Sequence, residues 1–180
     1  MNAQDIKKRL NQEFSYYDYK LFNTYIFGWE SDFFSISKSG YSIEVEIKIS
    51  KYDFYNDYKK TTSSGKNKHD FMIDTNNNKP NKFYFACPEN LITTNEINDK
   101  YGLIYIYRYK FNGGETIRHK VIQQAKFLHK DKILENPKYL KILLNKFYFR
   151  SMKLRERMDL LDEEVFYGQC RFNQLDKYFI

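Results

Sequence analysis

Ser42-Ile43-Glu44-Val45-Glu46-Ile47-Lys48-Ile49-Ser50 is the stretch that decides the fold. Ile43, Val45, Ile47 and Ile49 alternate with polar residues, which is the period of a β-strand. Side chains alternate across a strand, so the apolar residues face a core while Glu44, Glu46, Lys48 and Ser50 share the opposite face. Two carboxylates and an ammonium thus stand together. Upstream, Asp32 to Ser37 reads as a short strand, and Ser39-Gly40 as a turn. A hairpin across that turn brings Asp32 near Glu46. The plainer reading of the same pattern is a solvated strand face with one Glu–Lys pair.

Outward from this hairpin the elements follow in order. Residues 4–14 read as a helix, with Ile6, Leu10 and Phe14 on one side. A polar helix opens at Ser50 or Tyr52 and runs to about Lys60. Thr61 to Asn81 is rich in Ser, Gly, Asn, Lys and Thr, with Phe71, Met72 and Ile73 as an apolar island. It reads as a long mobile loop holding at most one helical turn. Lys82 to Cys87, Tyr101 to Tyr109 and Thr116 to Val121 are strands, the last two joined by the Asn112-Gly113-Gly114 turn. Residues 138–161 form a long helix whose Leu140, Leu144, Phe147, Leu154, Met158 and Leu161 follow a 3-4 spacing, broken at Ser151. The expected fold is one α/β domain over residues 1–180, a mixed sheet of about five strands flanked by helices, with a long basic C-terminal helix.

Composition narrows the function classes. The chain has 180 residues and 42% apolar content, enough for a core of its own. It carries 17 Tyr and 16 Phe, most of them expected in the core and the remainder available for base stacking. Cys87 and Cys170 have no CxxC or Cys/His spacing, which argues against a disulfide framework or a structural zinc site and fits a reducing cytosol. Met1 to Lys8 lacks the apolar run of a signal peptide, and no segment reaches the roughly 18 apolar residues of a spanning helix. An intracellular, cytoplasmic protein without membrane contact is expected. The net charge of +7 is uneven. Lys110 to Arg157 holds 13 Lys/Arg against 4 Asp/Glu, a net of +9. A local positive surface suits a polyanion, although A+T-rich codon bias toward Lys, Asn, Ile, Tyr and Phe would also raise it.

One chemistry that would use an Asp, a Glu and a Lys held together in this way is phosphodiester hydrolysis. A divalent cation held by hard oxygens polarises the phosphoryl group and lowers the pKa of a bound water. Asp32, Glu46 and the Ile47 carbonyl can supply those oxygens. Lys48 can orient or deprotonate the water and neutralise developing charge.

Glu46-Ile47-Lys48, with Asp32 upstream, resembles the signature of PD-(D/E)XK nucleases. The run from Gly40 to Asp57 is similar to the E-x-K-x-S-x-x-D-F-x-x-D stretch of MmcB-like DNA-repair nucleases. Asn81 to Glu89 resembles their strand ending in Pro-Glu, and Lys100 to Ile106 their next strand. The likeness covers roughly residues 25–130. It implies a restriction-endonuclease-like αββαβ core and magnesium-dependent action on DNA, with manganese able to substitute, in repair, recombination or phage DNA processing. It makes Asp32 and Glu46 metal ligands, Lys48 the catalytic lysine, and Ser50, Asp53 and Asp57 supports from the following helix. Ser31 stands where the signature has proline. Asp5 or Glu13 would be the acid of the first helix that completes the metal shell in some relatives. DNA contacts are expected from Lys51, Lys59, Lys66 and Lys68 near the site, and from Lys141, Arg150 and Lys153 on the C-terminal helix. A homodimer is compatible with all of this; the first rival is a catalytically silent nucleic-acid-binding module of the same fold, and the second an aromatic-rich interaction protein whose basic helix meets an acidic partner. His69, His119 and His129 read as surface or structural residues, and Trp29 as a core anchor.

Overall fold

The computed structural model describes residues 1–14 and 19–175, with side chains as far as residue 160. Helix α1 (Ala3–Glu13) opens at Asn2, whose side chain accepts the Asp5 N–H while the Asp5 carboxylate accepts the Asn2 N–H. This reciprocal cap satisfies backbone donors that the first turn leaves open. Six strands follow: β1 (Tyr19–Tyr25), β2 (Glu30–Ile36), β3 (Ser42–Ile47), β4 (Lys82–Pro88), β5 (Gly102–Phe111) and β6 (Gly114–Gln123). Helices α2 (Lys51–Asp57) and α3 (Lys68–Ile73) lie in sequence between β3 and β4, and α4 (Pro137–Leu175) closes the chain. No helix among the described residues is long and apolar enough to cross a membrane.

The sheet order is β1-β2-β3-β4-β5-β6. The outer pairs are antiparallel, while β3–β4 and β4–β5 are parallel. The expected α/β class with a mixed sheet is therefore present, with one strand more than expected. The additional one is β1, where Asn23 at φ 46° interrupts the alternation that marks strands in a sequence. The hairpin across Ser39-Gly40 forms, with Phe33 opposite Val45. Gly40 takes φ 84°, which a residue with a Cβ reaches only with strain. The Gly113-Gly114 turn likewise joins β5 to β6.

The two sheet faces carry different interiors. On one, Ile6, Leu10 and Phe14 pack with Phe33, Ile43, Val45, Ile47, Tyr84, Ala86, Ile104 and Ile106 into an apolar core. On the other, α2 and α3 bring Phe54 and His69 against Phe85, with centroid separations of 5.2 and 5.9 Å. Central strand β3 is consequently buried on both sides, although half its residues are polar.

Two segments differ from the sequence reading. Residues 61–81 hold helix α3 and side chains anchored in the interior. Asn67 caps α3 by accepting the His69 and Asp70 N–H groups, its side-chain amide donates to the Tyr58 carbonyl at 2.6 Å, and a bridge joins Thr61 to Asn67. Lys68, His69 and Met72 are buried. Of the apolar island only Met72 is fully buried, while Ile73 stays exposed, and ion pairing of Lys68 supplies much of what anchors the segment. The C-terminal helix extends beyond 138–161 in both directions. The chain divides into a compact body, Met1–Tyr139, and a second unit from Leu140 onward. In that unit Leu140, Leu144, Leu154 and Met158 of the expected stripe are exposed. The Leu161 and Cys170 side chains lie outside the described residues.

Gly102 begins β5 beside Tyr84, and a Cβ there would lie 2.1 Å from a ring carbon. That ring is buried and its hydroxyl donates to Gln124 at 3.0 Å, so it has little room to yield. Gly102→Ala is expected to destabilise the protein by about 1–3 kcal/mol, the usual range for overpacking, as read from urea unfolding. An unchanged midpoint would contradict this packing.

Candidate active site

Strand alternation places Glu44, Glu46 and Lys48 on the face that α2 and α3 cover, and none of the three is more than 1% exposed. Buried charges persist only when paired, and here the pairing is dense. Glu46 Oε1 accepts from Lys68 Nζ at 2.5 Å, and Oε2 from Lys48 at 3.2 Å and Lys60 at 3.1 Å. Asp57, at the end of α2, joins from the side. Its Oδ1 meets Lys48 at 2.7 Å and Lys60 at 2.6 Å, and its Oδ2 meets His69 Nε2 at 2.9 Å. Because Asp57 accepts, Nε2 carries the proton, leaving Nδ1 to accept from the Tyr101 hydroxyl at 3.2 Å. Glu44 Oε1 accepts from Trp29 Nε1 at 2.8 Å and pairs with Lys68 at 3.1 Å. The Lys68 ammonium also lies 5.6 Å from the Trp29 ring and 5.1 Å from the Phe83 ring. Asp32, on β2, accepts the Ile47 N–H at 2.8 Å through Oδ2.

Four carboxylates thus surround three ammoniums, and their protonation separates accordingly. Burial works against charge on Asp57, yet the His69 hydrogen bond and Lys68, Lys48 and Lys60 hold it well below the usual carboxylate range. Burial likewise opposes Glu46, and Lys68 leads the groups that still lower it. Burial raises Glu44 despite Lys68, and its Oε2 has no hydrogen-bond partner. Lys68 is pushed up to about 12, its burial outweighed by Glu44, Glu46 and Asp57. Burial lowers His69 against the pull of Asp57, which keeps the ring neutral at pH 7. Asp32 is raised to about 6, first by burial and then by the negative charge of Glu46.

The raised Asp32 bears on whether a cation fits. Two carboxylates repel one another across a space where positive charge would be favourable. Asp32, Glu46 and the Ile47 carbonyl are hard oxygen donors, and magnesium ordinarily uses one or two carboxylates with waters completing its shell. Among the described residues there is no cluster of three or more His, Cys, Asp or Glu side chains suited to a metal. Asp32, Glu46 and the Ile47 carbonyl are thus the oxygens that this margin of the cluster would offer a cation. Lys60 is the cation that can yield its place on Glu46, because its side chain is 43% exposed while those of Lys48 and Lys68 are buried.

Asp32, Glu46 and Lys48 therefore come together as the sequence suggests. Glu44, already on that face by strand parity, joins them, and Lys60, Lys68, His69 and Tyr101 converge on them only through tertiary packing. Lys68 is corrected as a DNA contact, because it is fully buried and bound to Glu44 and Glu46. His69 is likewise buried rather than on the surface. Ser50 caps α2 by accepting the Asp53 N–H, and Asp57 acts within the cluster. Neither first-helix acid completes the site. Asp5 is held in the cap of α1, and Glu13 pairs with His119 at 2.9 Å. Lys51 is paired with Glu96, while Lys59, Lys66, Lys141 and Lys153 are exposed and Arg150 is half-buried.

No protein-family model matches this sequence, and no curated protein matches it. Among solved structures, the chain is similar to the SPO1766 protein of unknown function from Silicibacter pomeroyi. The likeness has a TM-score of 0.57 at 13% identity, covering 87% of this chain and 90% of that one. It concerns the fold alone.

Asp57 is the hub of the ion-pair network, so Asp57→Asn should cost about 3–5 kcal/mol by leaving buried cations under-paired. Urea titration at pH 7 measures this. Because the folded-state pKa of Asp57 is depressed, its stabilisation is present above the unfolded value of about 3.8 and is lost as pH falls below it. The gap between wild type and Asp57→Asn should therefore narrow below about pH 4. A gap independent of pH would contradict the assignment.

Proposed function

We propose that the chain is a magnesium-dependent deoxyribonuclease of the PD-(D/E)XK kind, with a restriction-endonuclease-like αββαβ core. The observation that carries this reading is the company Asp32 keeps. It is the partly exposed acid of the cluster, raised first by burial and then by the charge of Glu46, on the strand paired with β3, just past whose end Lys48 stands. Asp32, Glu46 and the Ile47 carbonyl would hold the cation, with manganese as a substitute. Bound there, the ion would polarise a phosphoryl oxygen and acidify a water. Lys48, fixed by Asp57 at 2.7 Å, presents a positive charge beside the scissile group and stabilises the charge that develops there. His69 keeps Asp57 ionised and in place, so it is a positioning residue. Exclusion of water by the surrounding rings strengthens each of these interactions.

A second reading has an observation of its own. Both oxygens of Glu46 are engaged by ammoniums, so a cation must displace Lys60 to reach it. If that exchange does not occur, the chain is a catalytically silent DNA-binding protein with the same architecture.

Incubation of supercoiled plasmid and labelled oligonucleotides with magnesium, manganese or EDTA distinguishes the two. Cleavage that requires metal is expected. Lys48→Met should lower the single-turnover rate by about 10²–10⁴ while leaving DNA affinity in place, since the lysine acts on the transition state. A thermal melt confirms that the variant folds. Wild type that never cuts any DNA form favours the silent binder. A Lys48→Met protein that cuts at the wild-type rate removes the lysine from the mechanism.

A further inference from the structure

The β5–β6 hairpin carries a surface that the cluster does not use. Residues opposite one another in adjacent strands share a face. Phe85 is level with Glu46 and pairs with Leu103. Tyr105, Tyr107, Tyr109 and Phe111 continue the parity of Leu103 along β5. They therefore stand on the same sheet face as Glu46 and Lys48. Across the hairpin, Lys120 lies opposite Tyr105, Arg118 opposite Tyr107 and Thr116 opposite Tyr109, so these join that face too.

The hairpin also outreaches its neighbours. Strand β4 ends at Pro88, paired with Ile106, whereas β5 continues to Phe111. At a rise of about 3.4 Å per residue, Phe111 lies roughly 17 Å beyond Ile106 along the strand. The overhang projects past the C-terminal ends of β3 and β4, the end at which α/β sheets commonly bind ligands. Strand β6 is a sheet edge, so nothing within the sheet covers this ribbon.

Its chemistry differs between the two faces. Toward α1, Arg108 is engaged by Glu115 at 3.0 Å and Asp5 at 3.9 Å. Toward the cluster, Arg118 and Lys120 meet no carboxylate among the described residues. The Arg118 guanidinium stacks over Tyr109 at 3.8 Å from the ring centroid. Tyr109 remains 41% exposed and Phe111 51% exposed. Exposed rings flanked by unpaired cations on a narrow strip match unpaired nucleotides: bases have π-faces for the rings, and the backbone supplies phosphates for the cations.

We propose that the β5–β6 ribbon is a docking strip for single-stranded DNA, with bases stacked on Tyr109 and Phe111 and phosphates held by Arg118 and Lys120, delivering the strand toward Asp32 and Glu46. The delivery step rests on the nuclease reading; the binding step does not. The substrate class is then DNA with an unpaired segment, such as a flap, gap or overhang, rather than uninterrupted duplex.

The test is fluorescence anisotropy of the full chain with a fluorescein-labelled oligo(dT) and with a blunt duplex of equal length, in EDTA so that cleavage plays no part. Tyr109→Ala and Phe111→Ala should each weaken oligo(dT) binding about 5- to 150-fold, the equivalent of one lost base stack, and leave duplex binding unchanged. Arg118→Ala should flatten the dependence of log affinity on log salt by about 0.7, one phosphate on a single strand. All three residues are exposed, and unchanged melting temperatures establish that the variants fold. Oligo(dT) affinity that survives both ring substitutions overturns the proposal. So does an equal loss on duplex, which would make the ribbon a duplex surface, and so does an oligo(dT) that wild type does not bind at low salt. A protein that binds as proposed yet never cuts DNA would defeat the nuclease reading alone.

Discussion

Glu46 and its three ammonium partners are the interaction on which the rest of the structure depends. A carboxylate with no solvent exposure on a central strand of the sheet is strongly unfavourable unless compensated. Lys48 directly follows the same strand, Lys60 comes from the turn after α2, and Lys68 from α3. One charge therefore recruits the whole segment between β3 and β4. Lys68 reaches further, pairing with Glu44 and lying near the Trp29 and Phe83 rings. Residues whose composition looks like open loop become a lid over the sheet because their lysines have a buried destination.

The two faces of the sheet are held together by different forces. The α1 face is an ordinary apolar core and supplies hydrophobic stabilisation. The opposite face combines rings with an ion-pair network, which contributes less to stability than an apolar core of equal volume would. Charges held this way are fixed in position, and fixed charges are what transition-state stabilisation requires. The imbalance of the network falls on Asp32, at its partly exposed margin. That is where an incoming cation would find both a ligand and a path.

Much of this was legible in the sequence where local pattern and tertiary role coincide. Strand β3, the hairpin across Ser39-Gly40 and the meeting of Asp32 with the Glu46 strand all follow from a period of two and one turn. The failures share a physical cause. Lys68 and His69 look like surface residues because nothing local reveals a buried partner. Asp57 lies 11 residues from Glu46 in sequence, and only the geometry of α2 brings both to Lys48. Strand β1 was missed because its alternation is interrupted at Asn23. The exposed rings of the β5–β6 ribbon look like core in a list of aromatics, and only the register shows that β5 outruns its neighbour.

In the proposed function, the Asp32–Glu46 pair accepts a divalent cation. Trp29 is the single tryptophan of the chain, and its indole N–H donates to Glu44 inside the network. Titration with Mn²⁺, followed through Trp29 emission, therefore reports on the site directly. Saturable quenching in wild type, lost in a folded Asp32→Asn protein, is the result this account requires. Emission that does not respond to Mn²⁺, or that saturates identically in both proteins, would contradict it.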